Sequence, residues 1–394
     1  MGPVPDASAV RSSVTDQLRV RTGASELNPS RTLDFDLHGL AGIRLVDATD
    51  RDAAAVARQL GPFSGRLERE PDIVVRFVDR LHESAPLMLV GHEDAGFGDN
   101  DFVLLRGRHK TRTRAVVPLD RVGAGIEIVC ESGIAAVPLL VPILNLVVLS
   151  KGVLPLHASA FVHEDVGVVV TGWSKGGKTE ALLGFAERGA PCVGDEWVYV
   201  AEDGRRVWGI AQPVRVWDWH LRTSPTYRKK LTTGERLRLR GWSAARWAMR
   251  LLPAGDGLRS RAQALATRQL GLDVPPQRLF GADGVSLRGP FDVLFLAASH
   301  DSKAITVEPI DPLEVAWRMA FSLQHERRQL HEAYQKFRFA FPGSASAALE
   351  RADETERRLL RRAFAGKPAY LVRHPYPVDV RALAATMSDY CHVR

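Results

Sequence analysis

Residues Gly172-Trp173-Ser174-Lys175-Gly176-Gly177-Lys178-Thr179 fit the pattern G-x-x-x-x-G-K-[ST]. The chemistry of that pattern is the binding of nucleotide phosphates, because glycines let backbone N–H groups converge on phosphate oxygens at a helix N-terminus. Gly172, Ser174, Lys175, Gly176 and Gly177 would line the loop. Lys178, expected to stand exposed there, would neutralise the β- and γ-phosphates, and the Thr179 hydroxyl would bind Mg²⁺. Lys175 adds charge or is simply solvated. Asp195 lies seventeen residues beyond Lys178, within Val193-Gly194-Asp195-Glu196. An acidic pair at a strand terminus beside a phosphate loop can hold Mg²⁺ or accept a hydroxyl proton. Its bland alternative is a solvated turn or an ion pair with Arg188. His157, in Leu154-Pro155-Leu156-His157-Ala158-Ser159, is the third candidate. Alone, a histidine so placed is more often a satisfied core residue.

The flanking sequence predicts elements able to position these groups. Leu154 to Val162 reads as one strand, His163-Glu164-Asp165 as a turn, and Gly167 to Thr171 as a strand buried on both faces. A helix follows the loop and ends at Arg188-Gly189. The next strand, Cys192 to Val200, carries Asp195-Glu196 near its start. Later strands are expected at 205–210, 286–288 and 293–297. Asp311, Pro312 and Glu314 form a helix start, with Leu313, Trp317, Ala320 and Phe321 on one face and Pro342-Gly343 as the stop. A charged helix at 353–364, a strand at 370–373 and a helix capped by Asp379 complete the chain. Upstream, strands are expected at 33–37, 43–46, 72–78, 102–105, 114–118 and 126–130, with a helix at 52–60. Ile134 to Leu149 is apolar but contains Pro138, Pro142 and Asn145, and is shorter than the roughly 20 residues of a membrane span. It reads as a buried helix.

This order and spacing resemble the catalytic domain of HPr kinase/phosphorylase and related phosphoenolpyruvate carboxykinase-like P-loop kinases, well over 154–200 and loosely beyond. The resemblance implies an α/β P-loop catalytic domain at 132–394; composition and apolar alternation, not the resemblance, give the flexible tail at 1–32 and the smaller N-terminal α/β domain at 33–131. It further implies that Gly172, Gly177, Lys178 and Thr179 bind ATP and Mg²⁺, that Asp195 is the base, and that His157 stands near the catalytic centre. Glu196 occupies the place of a second aspartate. The family's downstream Pro-Val-x-x-Gly-Arg-Asn stretch is missing. Phosphorylase activity is therefore not expected, and the pattern is closer to divergent members with unassigned acceptors.

Composition narrows the classes. The 394 residues are 45% hydrophobic and 25% charged, which excludes global disorder. Cys130, Cys192 and Cys391 form no CxxC pair, against a disulfide framework or zinc site and in favour of a reducing, cytoplasmic setting. No leader or membrane segment is read. The net charge is +7, yet Arg228 to Arg268 alone carries eleven basic and two acidic residues, or +9. That segment would recruit an acidic peptide or protein acceptor, with nucleic acid as the alternative partner. The function expected is an ATP-dependent kinase acting on a hydroxyl of a peptide, protein or small molecule. The competing classes are a nucleotide-hydrolysing switch, a nucleotide-gated binding module and, least, a carboxykinase, whose Lys and His manganese ligands cannot be placed. Homo-oligomerisation stays open.

Overall fold

The structure, a computed structural model, describes residues 31–63, 65–81, 86–91, 94–106, 112–251 and 269–392. The expected tail therefore lies almost wholly outside the described residues. The first elements are β1 (Thr32–Leu37), β2 (Ala41–Val46), α1 (Asp50–Leu60), β3 (Ile73–Val78), β4 (Met88–Val90), β5 (Ala95–Phe97), β6 (Phe102–Arg106), β7 (Arg112–Val116) and β8 (Ile126–Glu131). Among the described residues they form one sheet in the order β1-β2-β3-β8-β7-β6-β5-β4, parallel only through β2, β3 and β8. The period-two pattern of β3 explains its orientation. Ile73, Val75 and Phe77 are buried, while Arg76 lies on the opposite face against Glu127 of β8 at 2.7 Å. Thr49 and Asp52 cap α1 reciprocally, two residues earlier than the helix expected from sequence.

Helix α2 (Leu140–Ser150) is buried, as its composition demands, but begins six residues later than expected. Pro138 precedes it, Leu139 is left-handed (φ 58°), and Pro142 sits in the first turn, where a missing N–H is not needed. The polar residue in the run has a partner: Asn145 Oδ1 accepts from Tyr199 Oη at 3.0 Å. Helix α2 shares an apolar cluster with β3, β8 and several helices further along the chain.

The next elements are β9 (Leu154–Leu156), β10 (Ala158–His163), β11 (Val166–Thr171), α3 (Lys178–Glu187), β12 (Cys192–Gly194), β13 (Val198–Val200), β14 (Arg206–Gly209) and β15 (Val214–Trp217). Short helices α4 (Asp218–Thr223) and α5 (Pro225–Lys230) lead into α6 (Thr233–Leu251). After 252–268, outside the described residues, come β16 (Gly271–Val274), α7 (Pro276–Phe280), β17 (Arg288–Pro290), β18 (Val293–His300) and β19 (Thr306–Pro309). The chain closes with α8 (Pro312–Glu326), α9 (Arg328–Ala340), α10 (Ala347–Glu350), α11 (Ala352–Phe364), β20 (Ala369–Pro375) and α12 (Val380–Ser388). One sheet runs β12-β10-β11-β18-β20-β19, with β11, β18 and β20 parallel at its centre. Strand β11 is apolar on both faces because both are covered. Val168 and Val170 pack with Ala181, Leu182 and Phe185 of α3, while Val169 joins the cluster around α2. A second sheet runs β17-β14-β13-β9.

Three expectations are corrected. The single strands expected at 154–162 and 192–200 are each two strands in different sheets, broken at His157 and at 195–197. The long helix after Asp311 is two helices, broken at Arg327, which is drawn into ion pairs with Asp353 and Glu356. The face of Leu313, Trp317 and Phe321 is exposed, and α8 instead buries Val315, Ala316, Met319, Ala320 and Leu323.

Helix α3 packs against α12 at Gly184, where an added Cβ would meet Val380 O at 2.1 Å. Alanine is the better helix former by about 1 kcal/mol. Here the clash is with backbone and wins, so Gly184→Ala is expected to lower stability by about 1–3 kcal/mol. Denaturant unfolding would check this, and a variant as stable as the parent would refute the close packing.

Candidate active site

Strand β11 delivers Thr171 to a loop whose backbone is demanding. Gly172 has φ 151°, Gly177 φ 109° and, without the excuse of glycine, Lys175 has φ 64°. A Cβ on Gly172 would meet Ala297 O at 2.3 Å, and one on Gly177 would overlap His374 Nε2 at 2.0 Å. The glycines are required by the neighbouring strands β18 and β20 as well as by the turn. His374, which sequence analysis did not select, supports the loop by donating from Nε2 to Gly176 O at 2.7 Å. Its signal was weak: a histidine one residue beyond an expected short strand. Ser174 and Lys175 are exposed, while Gly176 and Gly177 are buried.

Lys178 overturns its expectation. It is 6% exposed, and its Nζ donates to Trp173 O at 3.0 Å and Gly172 O at 3.3 Å. Burial pushes its pKa down, opposed by the carboxylates of Glu196, Asp195 and Glu326. A buried ammonium is tolerated because loop carbonyls take its protons and acidic groups surround it. The helix behind it is pinned from the far side. Ser159 Oγ donates to Lys178 O at 2.8 Å, and Glu180 lies 3.2 Å from His220 Nε2.

The structure brings Asp195 to this helix start. Thr179 Oγ1 donates to Asp195 Oδ2 at 3.0 Å and stands 3.2 Å from Oδ1. Burial, with the like charge of Glu196 next, pushes Asp195 up to about 7, against the bond from Thr179 and the charge of Lys178. A carboxylate so placed holds a proton-accepting oxygen near neutral pH. Glu196 is left-handed at φ 65°, a strained conformation that breaks the strand and turns its side chain toward His157.

His157 is buried between two carboxylates. Its Nε2 lies 3.1 Å from Glu196 Oε2, and its Nδ1 is 3.1 Å from Glu326 Oε1, close enough for charge attraction but not aligned as a hydrogen bond. Burial alone would lower the imidazole pKa, yet the two glutamates outweigh it and hold it above 6.5. Glu326, 130 residues from Glu196, was missed; it is the last residue of α8, and nothing in its local sequence marks it. Trp197 stacks obliquely near His157, at 5.6 Å between ring centres, and exposed Trp173 lies 4.8 Å from His325.

Thr179, Asp195 and Glu196 offer hard oxygen donors of the kind Mg²⁺ takes together with phosphate oxygens and water. Among the described residues no three His, Cys, Asp or Glu side chains are grouped to hold a metal on their own. The basic segment is partly described. Residues 228–230 end α5, and α6 carries exposed Arg236, Arg238 and Arg240; Leu239 is buried with Tyr227, whose Oη donates to Leu183 O of α3. Arg259, Arg261, Arg268 and the rest of 252–268 lie outside the described residues. No helix among the described residues is long and apolar enough to cross a membrane.

No family model matches the chain, and no curated protein matches it. Among solved structures it is similar to the HPr(Ser) kinase/phosphatase from Coxiella burnetii, at 16% identity over 45% of this chain and 98% of that one. The TM-score is 0.20, a superposition too poor to assign activity.

The Glu326–His157 contact has a pH window. Glu326 is held below 4.5, since His157 and Lys178 outweigh the effect of burial, so its contribution is lost as pH falls through that lowered value. The imidazolium contribution is full below 6.5 and lost as pH rises through the raised value. Glu326→Gln should therefore cost about 1–3 kcal/mol at pH 5.5 and less at pH 9. Denaturant titrations at both values would test it; equal losses would show that the charge pair is unimportant.

Proposed function

We propose that the chain is an ATP- and Mg²⁺-dependent kinase that phosphorylates a hydroxyl, of a peptide or protein Ser or Thr or of a small-molecule alcohol. The observation that carries this reading is the bond from Thr179 to buried Asp195 at the first turn of α3. It holds a carboxylate with a raised pKa against a turn able to bind phosphate.

In the reaction the acceptor oxygen attacks the γ-phosphorus, its O–H proton passes to Asp195, and the bond from phosphorus to the β,γ-bridging oxygen breaks to release ADP. Gly172, Ser174, Lys175, Gly176 and Gly177 would cradle the phosphates through backbone N–H groups, with Lys178 and the N-terminus of α3 countering their charge. Thr179, Asp195 and Glu196 would hold Mg²⁺, which when bound stabilises charge on the transferred group. His157 is a positioning residue: clamped by Glu326, it orients Glu196. The loop carbonyls that now bind Lys178 Nζ would yield it to the nucleotide, so the charge is stored in place before ATP arrives.

Two variants test the reading. Lys178→Met keeps the buried stem but takes its charge away from Asp195 and Glu326, so it should lower the unfolding midpoint of a still folded protein, weaken ATP binding and abolish transfer. Asp195→Asn should bind ATP and lose transfer by about 10²–10⁴-fold. Parent-like turnover in either would remove that residue from the mechanism.

The basic segment supports an acidic acceptor. Arg236, Arg238 and Arg240 are exposed on α6, and none has an ion-pair partner among the described residues. Changing all three to Glu should raise the acceptor KM and flatten its salt dependence with ATP affinity unchanged. Unaltered KM and salt response would exclude the segment as a docking site, and loss of RNA or DNA binding held by the parent would redirect the reading to nucleic acid.

A further inference from the structure

Helix α8 is at the same time part of the site and part of the surface. Its last residue, Glu326, touches His157, and the preceding His325 lies against Trp173 of the loop. Going back one turn at a time, the exposed positions are Phe321, Trp317 and Leu313, which are 46%, 64% and 49% exposed. Trp317 and Phe321 contact each other edge to face at 5.0 Å. Five apolar or aromatic groups thus wind from the far end of α8 to the loop. Such a run exceeds the scattered apolar residues of an ordinary surface.

A cavity of about 270 Å³ opens beside this ridge, lined by Ala316, Trp317, Ala320 and Phe321 of α8 and by Arg357 and Arg361 of α11. Both arginines are exposed. Their neighbours Arg358 and Arg362 pair with Glu202, and Arg318 pairs with Glu314. Arg357 and Arg361 have no ion-pair partner among the described residues, and no lining residue is acidic. The groove therefore offers an apolar wall opposite two exposed guanidinium groups that form no ion pair among the described residues.

We propose that this ridge and groove form the docking track for a peptide acceptor, with an aliphatic or aromatic side chain seated against Trp317 and Phe321 and an acidic side chain beside it on Arg357 and Arg361. The proposal rests on the kinase reading and narrows its substrate class to peptides. Charge complementarity selects the acidic residue, and continuity with Trp173 gives the direction. From Trp317 to His325 the helix rises about 12 Å, which an extended peptide spans in about four residues. The anchor should therefore lie at least four residues from the phosphorylated Ser or Thr. A second copy of the chain is the poorer occupant, since a two-fold contact would bring four unpaired arginines together.

The test uses two fluorescein-labelled pools of 14-residue peptides, each with one central Ser. In one, a Phe or Leu with adjacent Asp or Glu lies four to six residues from the Ser; in the other, Gln and Lys replace them. The parent protein should bind the acidic–apolar pool at least tenfold more tightly by anisotropy, and should phosphorylate it from ATP. Trp317→Ala and the double variant Arg357→Glu/Arg361→Glu should each lose that preference while keeping the parent's ATP affinity. Equal binding of both pools, or variants that bind like the parent, would overturn the proposal. So would loss of binding only when Arg236, Arg238 and Arg240 are reversed, or a Trp317→Ala variant whose sole change is from dimer to monomer in sedimentation. Ridge-dependent binding without phosphate transfer would leave the track standing and sink the kinase reading instead, so the two fail separately.

Discussion

A lysine buried next to carboxylates is the constraint around which this half of the molecule is arranged. Removing an ammonium from water costs several kcal/mol even after relaxation, so Lys178 can be buried only where acceptors and opposite charge are already fixed. The loop carbonyls of Gly172 and Trp173 supply the acceptors, and Asp195, Glu196 and Glu326 supply the field. Those carboxylates in turn depend on the lysine and on His157. Removing Lys178 would leave buried Asp195, and removing Glu326 would leave buried His157, with less opposing charge, and the cluster is cooperative for that reason.

The backbone accommodates the cluster by breaking two strands at the same level. Strands β9 and β13 pair in one sheet, and β10 and β12 in another. Where the chain passes between the sheets, at His157 and again at Asp195–Trp197, ladder pairing stops and side chains can turn into the gap. A continuous strand would have pointed successive residues to opposite faces. The interruption lets Asp195 face Thr179 while Glu196, left-handed, faces His157. Helices α3 and α12 then clamp the outer side of the sheet, close together at Gly184.

Helix α8 couples this interior to the surface. Its buried face packs into the core, its C-terminus brings Glu326 to the histidine, and its exposed face carries aromatic residues toward the loop. Arg327 ends the helix by pairing with Asp353 and Glu356 of α11. The break anchors the end that bears Glu326, and the same α8–α11 packing forms the groove with Arg357 and Arg361.

Local chemistry made much of this readable in one dimension. The loop pattern, the apolar strand before it, the helix behind it and the Asp311 and Asp379 caps follow from backbone stereochemistry and periodicity, which act over a few residues. Asp195 and Glu196 were legible because short spacing keeps them near the loop. His374 under Gly177, Glu326 against His157 and the burial of Lys178 were not legible. Each depends on a partner more than 100 residues away or on carbonyls whose direction only the folded loop defines. The apolar face of α8 shows the same limit: Leu313, Trp317 and Phe321 have helical spacing, but which stripe meets the core was decided by what else packed there. Periodicity specifies that a face exists, and only the competition among all faces for the interior decides which one is buried.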